Sequence, residues 1–214
     1  MLRGLEDDRS SVRLRAAMAV GTEPHPRFVA ALVERSAVEP EFFVRDMLTW
    51  ALTRHPVDMT LPALVRETRS EQAQARSQAL HTLSKIGDRR AWPALTKALL
   101  TDPEVEVARS AWRTAVVLVP HGEESALAEV LASQLGRGER DTQLSLSRAL
   151  VDLGEAAEAP LRAATTGTKA RVHAHALATQ RLLDDPETGF GFAIEEAKRV
   201  VALGGRSPAP QAGR

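Results

Sequence analysis

One pattern returns along this 214-residue chain at intervals of 28–34 residues. Its clearest copy is Ala75-Arg76-Ser77-Gln78-Ala79-Leu80-His81-Thr82-Leu83-Ser84-Lys85-Ile86-Gly87. It reads as a small residue or Val, an anchor Arg, apolar or small residues three, six and seven places on, and a break eleven places on. The same pattern fits Val12-Arg13, Val44-Arg45, Ala108-Arg109, Thr142-Gln143 and Ala170-Arg171, so the anchors stand at 13, 45, 76, 109, 143 and 171. A period of this length means a structural unit that is copied and stacked, because one unit cannot bury its own apolar face.

Each unit is a pair of helices. Apolar residues recur at three- and four-residue spacing, as in Phe28, Val29, Leu32 and Val33, which is the helical period. Ala and Leu supply 61 residues, Ile is nearly absent and Tyr is missing, so strand formers are scarce. A shorter amphipathic stretch precedes each anchored helix, over 27–36, 60–69, 91–100, 124–135 and 159–164. Pro26, Pro62, Pro93 and Pro160 are expected near the first turns, where a missing N–H costs nothing. Glu39-Pro40, Asp102-Pro103 and Gly136-Arg137-Gly138 supply the turns.

The pattern resembles HEAT repeats, in the short variety found in phycobilisome-lyase-like proteins, with Pro40-Glu41-Phe42-Phe43-Val44-Arg45 and the stretch from Ala75 to Gly87 as the best copies. The resemblance covers roughly residues 8–183. It implies an all-α, right-handed α-solenoid of about six helix pairs with a C-terminal capping helix. The units fall near 1–22, 24–56, 58–87, 89–120, 123–154 and 156–183, with a cap over 190–203, making one solenoid of residues 1–204. In the family the anchor Arg supports the turn by hydrogen bonding, which implies that role for Arg13, Arg45, Arg76, Arg109 and Arg171. Gln143 departs from the pattern.

Only Met1–Asp7 stand before the helix of Arg13, so a first helix is missing and the chain reads as part of a longer protein. At the other end, Phe192, Ile194, Ala197, Val200 and Val201 are expected to face inward from the cap, with Gly204-Gly205 ending it. Residues 205–214 are expected to be disordered.

The chemistry of an enzyme is hard to find. Cysteine is absent, which removes thiolate catalysis and cysteine-held zinc. His173 and His175 stand two apart, on different faces of a helix, and cannot share a metal. Glu123-Glu124 and Asp184-Asp185 suit helix starts better than a carboxylate dyad. No phosphate loop, dinucleotide fingerprint or nucleophile elbow occurs. No catalytic residue, cofactor or metal is expected. No apolar run approaches the roughly 20 residues of a membrane span, and the acidic N-terminus does not suit a signal peptide. A cytoplasmic protein is expected.

What remains is a surface. In such solenoids the second helices line the concave side. Five places after each anchor stand Met18, Trp50, His81, Thr114, Arg148 and Ala176; two places after stand Arg15, Met47, Gln78, Ala111, Ser145 and His173. Asp46, Met47, Trp50, Gln78, His81 and Arg148 are therefore the candidate groove for a protein segment or small effector, with Trp50 as anchor. Trp112 falls on a core position, and Trp92 is expected between first helices. Residues 43–56 and 78–87 look similar to repeat regions attached to MerR-type transcription regulators, which implies a regulatory or interaction role. The alternative is a HEAT-like DNA-binding or DNA-glycosylase protein using Trp50, Asp46, Arg113 and Arg148. The 28 basic and 28 acidic side chains balance, and so do the two halves, which argues against a protein held on phosphates.

Overall fold

The computed structural model describes residues 2–185 and 189–204, and the side chains of residues 192, 203 and 204 lie outside this description, as does the expected tail. Among the described residues there are twelve α-helices and no strand. They are α1 Ser10–Thr22, α2 Val29–Val38, α3 Phe42–Arg54, α4 Val57–Glu67, α5 Ala73–Ile86, α6 Lys97–Leu100, α7 Val105–Leu118, α8 Glu124–Ala132, α9 Arg140–Asp152, α10 Glu158–Thr165, α11 Ala170–Asp184 and α12 Phe190–Gly204. The protein is all-α, with the helix pairs of a HEAT-like solenoid. Contacts gather into two compact units that meet in sequence between His121 and Gly122.

In the first unit the anchored helices α1, α3, α5 and α7 pack side by side, and α2 and α4 pack behind them. Leu32, Leu48, Leu52, Leu80, Leu83 and Leu118 are fully buried between these layers. In the second unit α9 packs on α11, and α11 carries α12. Ala174, Ala178, Phe190, Ile194 and Ala197 form the core beneath α12. Val201 packs at its edge, but Val200 is exposed. On a helix adjacent residues diverge by about 100°, which here carries Val200 past the edge of the buried stripe.

Pro26 and Pro160 lie in first turns as expected, but Pro62 and Pro93 sit deeper. Pro62 lies inside α4 and Pro93 inside a 3-10 turn over Arg89–Ala94. The stretch 91–100 is therefore that turn followed by the short α6, not one helix.

The turns are held from the helices. Arg13, Arg45 and Arg76 are each the fourth residue of their helix. Each Nη1 donates to the carbonyl oxygens six and five residues back: Asp7 and Asp8 at 2.8 Å, Glu39 and Pro40 at 3.0 and 2.6 Å, Ser70 and Glu71 at 2.9 Å. Gln143 keeps one such bond, to Gly138 O at 3.3 Å. Arg171 departs from the expected role, since it reaches back to the preceding turn at Gly138 O and Glu139. Arg109 pairs with Glu106 within its own helix at 2.8 Å.

The same guanidinium groups also tie one turn to the next. Arg13 grips Glu39 through Nε and Nη2 at 2.7 and 2.8 Å, and Arg76 grips Asp102 at 3.0 and 3.2 Å. Glu39 is fully buried. Arg35 and the Glu41 N–H add bonds to it at 2.8 and 3.0 Å. Burial pushes its carboxyl upward, but the Arg13 bonds, the Glu41 N–H and Arg35 outweigh that and hold it at about 2.

Removing one partner of a buried pair strands the other charge. Glu39→Ala should cost about 3–5 kcal/mol, measured by chemical denaturation. The held carboxylate contributes stability above its ordinary pKa of 4.5, and that contribution is lost as pH falls toward 2. Glu39→Gln should remove this part of the acid dependence, so the stability gap between wild type and variant narrows as pH falls through that window.

Candidate functional site

The anchored helices of the first unit present one open side, set by which residues each helix needs for its own packing. On α1, α3 and α5 the expected positions are accessible. Met18 is 45% and Trp50 40% exposed; Arg15 and Asp46 are exposed, and Met47, Gln78 and His81 are half-buried. Phe43, Met47, Trp50 and Arg54 follow i, i+4, i+7 and i+11, so they share a side of α3. The Trp50 ring lies against Gly21, and a Cβ there would collide with the ring and with the Ala51 backbone. Glycine thus lets α1 and α3 close up while one face of the indole stays open.

The expected strip fails at α7. Ala111 and Thr114 are fully buried. The Thr114 hydroxyl donates to Leu80 O at 2.8 Å. Trp112 sets this rotation: its ring is fully buried and its Nε1 donates to Leu100 O at 2.8 Å. With that bulk inward, Arg113 and Val117 come to the surface instead. Arg113 stands four places after its anchor, one earlier than Trp50 and His81.

His81 sits among charges. Burial, Arg113 and Lys85 push its pKa down, while Asp46 on α3 opposes them. Asp46 and Arg113 therefore both lie near His81, on three successive anchored helices. Arg148, the last residue of the expected groove, is exposed on α9 of the second unit. The strip described here is that of the first unit and does not include it.

Sequence reasoning passed over Phe42 and Phe43, which are 65% and 74% exposed and meet edge to face at 5.9 Å. The signal was present: the repeat pattern asks only Val44 of these three to face inward. It also passed over two concavities. One, of about 470 Å³, lies beside Arg45, Gln74, Gln78, Pro103 and Glu106. The other, of about 640 Å³, lies in the second unit between Arg140, Gln143, Arg171, Ile194, Glu195 and Lys198. There Lys198 is paired with Glu195 at 2.8 Å and Arg171 with the 138 carbonyl.

The histidine pair does structural work. His175 has no exposed surface. Its Nδ1 accepts from the Gly136 N–H at 2.9 Å, and its Nε2 lies 3.0 Å from both Gln143 O and the Ser147 hydroxyl. His173 is half-buried on another side of α11. Among the described residues no group of three His, Asp or Glu could hold a metal ion. None of their helices is long and apolar enough to cross a membrane.

Residues 44–116, from α3 into α7, match the sequence profile of HEAT repeats. No curated protein matches the chain. The matched segment contains every residue of the candidate strip except Arg15, Met18, Phe43, Val117 and the separate Arg148. HEAT repeats generally mediate protein binding and are typically not catalytic.

Burial of His175 lowers its pKa from an ordinary 6.5 to about 4, with Arg171 adding to the shift against the Gln143 carbonyl. Protonation is then taken up more readily by the unfolded chain between those values, so stability falls as pH drops from about 6.5 to 4. The His175 ring resonance should titrate near 4 in the folded protein, and His175→Gln should flatten the pH dependence of unfolding over that window.

Proposed function

We propose that this chain is a non-enzymatic HEAT-repeat binding scaffold whose partner docks on the open side of the anchored helices. Asp46, Met47, Trp50, Gln78 and His81 form the contact in the first unit, and Arg148 is a further exposed position in the second. The observation that carries the reading is Trp50: a large aromatic ring, 40% exposed, on the same side as exposed Met18 and Phe43. Exposed apolar side chains gathered on one face mark interaction surfaces, and Trp is enriched among residues that dominate binding energy. The remaining polar groups of the anchored helices are largely absorbed by turn and interhelix bonds, which leaves no assembled acid–base or nucleophilic set. In this reading the chain is the regulatory or interaction region of a bacterial transcription regulator acting in the cytoplasm. That finer assignment rests on the likeness of residues 43–56 and 78–87 to repeat regions attached to MerR-type regulators.

A small effector is the second candidate occupant. The concavity of about 470 Å³ beside Gln78 falls within the size range of small-molecule sites.

Trp50→Ala should weaken partner binding by more than about 1 kcal/mol and cost far less stability than Trp112→Ala, for which about 3–5 kcal/mol is expected of a fully buried aromatic. Equal losses of stability in the two variants would make Trp50 a packing residue and remove the anchor. Gly21→Ala should displace the Trp50 ring without touching its exposed face chemistry, and a shift in tryptophan emission with reduced binding is the expected outcome.

A further inference from the structure

The chain is neutral overall, but its charges are not evenly distributed over the binding side of the first unit. Arg15 on α1, Arg54 on α3, Lys85 on α5 and Arg113 on α7 are all exposed. None of the four takes part in any of the ion pairs found among the described residues. Arg109 and Glu106 neutralise one another at 2.8 Å, and Asp46 is the one other carboxylate within α1, α3, α5 and α7. The excess is greatest toward α5 and α7. Arg113 has a single side-chain bond, to the Ser110 hydroxyl at 3.3 Å, and Arg109 keeps its Nε buried without a hydrogen-bond partner.

These groups disturb one another. Burial and the neighbouring Arg109 disfavour the Arg113 cation against the pull of Glu106, and burial, Arg113 and Lys85 disfavour a charge on His81 against Asp46. A side on which exposed cations stand without an ion-pair partner is complementary to an anion. The apolar residues lie at the other end. Trp50 lies against Gly21 of α1, and Met18 and Met47 stand one helical turn from Gly21 and Trp50 respectively.

We propose that this side takes an acidic segment of a partner protein, with an apolar side chain seated against Met18, Met47 and Trp50 and a carboxylate received by His81, Lys85 and Arg113. The inference rests on the scaffold reading above and adds the charge and spacing of the partner. Two helix-to-helix steps at about 8–10 Å separate α3 from α7. An extended chain advances about 3.3 Å per residue, so the apolar anchor and the acid stand roughly five or six residues apart in the partner. An acidic peptide is favoured over nucleic acid because the cations are four in number and spread over four helices, with an apolar end that a phosphate backbone would leave unused.

The test is selection of a random peptide library on the full chain, followed by affinity measurement of enriched peptides against variants. Enriched peptides should carry net negative charge with an apolar residue five or six places from an acid. Their binding should weaken with salt and fall by roughly tenfold in Arg113→Glu and in Lys85→Glu, both exposed helix positions whose folding is checked by circular dichroism. Enrichment of neutral or basic peptides, or of acidic ones indifferent to both substitutions, would overturn the inference. If such peptides still lost affinity in Trp50→Ala, the scaffold reading would stand without it. Peptides indifferent to Trp50→Ala as well, or no enrichment at all, would count against both. Oligothymidylate binding more tightly than the best peptide, with the same dependence on Lys85 and Arg113, would assign the cations to nucleic acid and overturn the peptide proposal.

Discussion

The buried carboxylates at the turns are the constraint on which the first unit depends. A HEAT-like pair has little within itself to hold it, because its two helices share only one narrow apolar seam. Arg13 and Arg76 solve this twice over with one side chain each. Nη1 fastens the turn that begins the helix, while Nε and Nη2 grip an acid at a turn 26 residues further on. Glu39 and Asp102 each precede a proline, and each also accepts from the N–H two residues later, at 3.0 and 2.9 Å. The proline fixes the chain direction and the acid is thereby presented to the arginine. A charged group this deep is tolerable only because each of its oxygens is occupied.

Between the anchored helices the second constraint is closeness. Thr49 meets Thr82 at 3.4 Å and Ser77 meets Ser110 at 3.0 Å in the first unit, and Ser147 meets Thr179 at 2.7 Å in the second. Small hydroxyl residues allow the backbones to approach and satisfy one another once buried. Gly21 takes the same principle to its limit under Trp50. The helices so drawn together leave their opposite sides open in a row, which is the geometry a binding surface requires.

The two constraints together shape the surface charge. Glu39 and Asp102 are withdrawn into the turns, and half-buried acids such as Asp7 and Asp88 are taken by nearby arginines. A chain with equal numbers of acids and bases can therefore still show a cationic side. Net charge describes the molecule in bulk, whereas recognition depends on which charges remain unpaired and where they lie.

The sequence alone determined the periodic part of the architecture. Helical spacing, the anchor arginines and the acid-proline turns were legible in it, because secondary structure and turn chemistry depend on residues close together in the chain. So were the exposure of Trp50 as a question and the core position of Trp112. Spacing also predicted that Thr114 and Ala111 would continue the open strip, and there tertiary packing decided otherwise: the bulk of Trp112 turned α7, burying both and exposing Arg113 and Val117. The pairing of Arg13 with Glu39 and of Arg76 with Asp102, and the placing of Asp46 and Arg113 near His81, were likewise beyond reach of the pattern. A helical period says which residues share a face. It does not say how far a helix is rotated about its axis or which side chain of the next repeat stands across from it, and those follow from volume and hydrogen bonding in the assembled core.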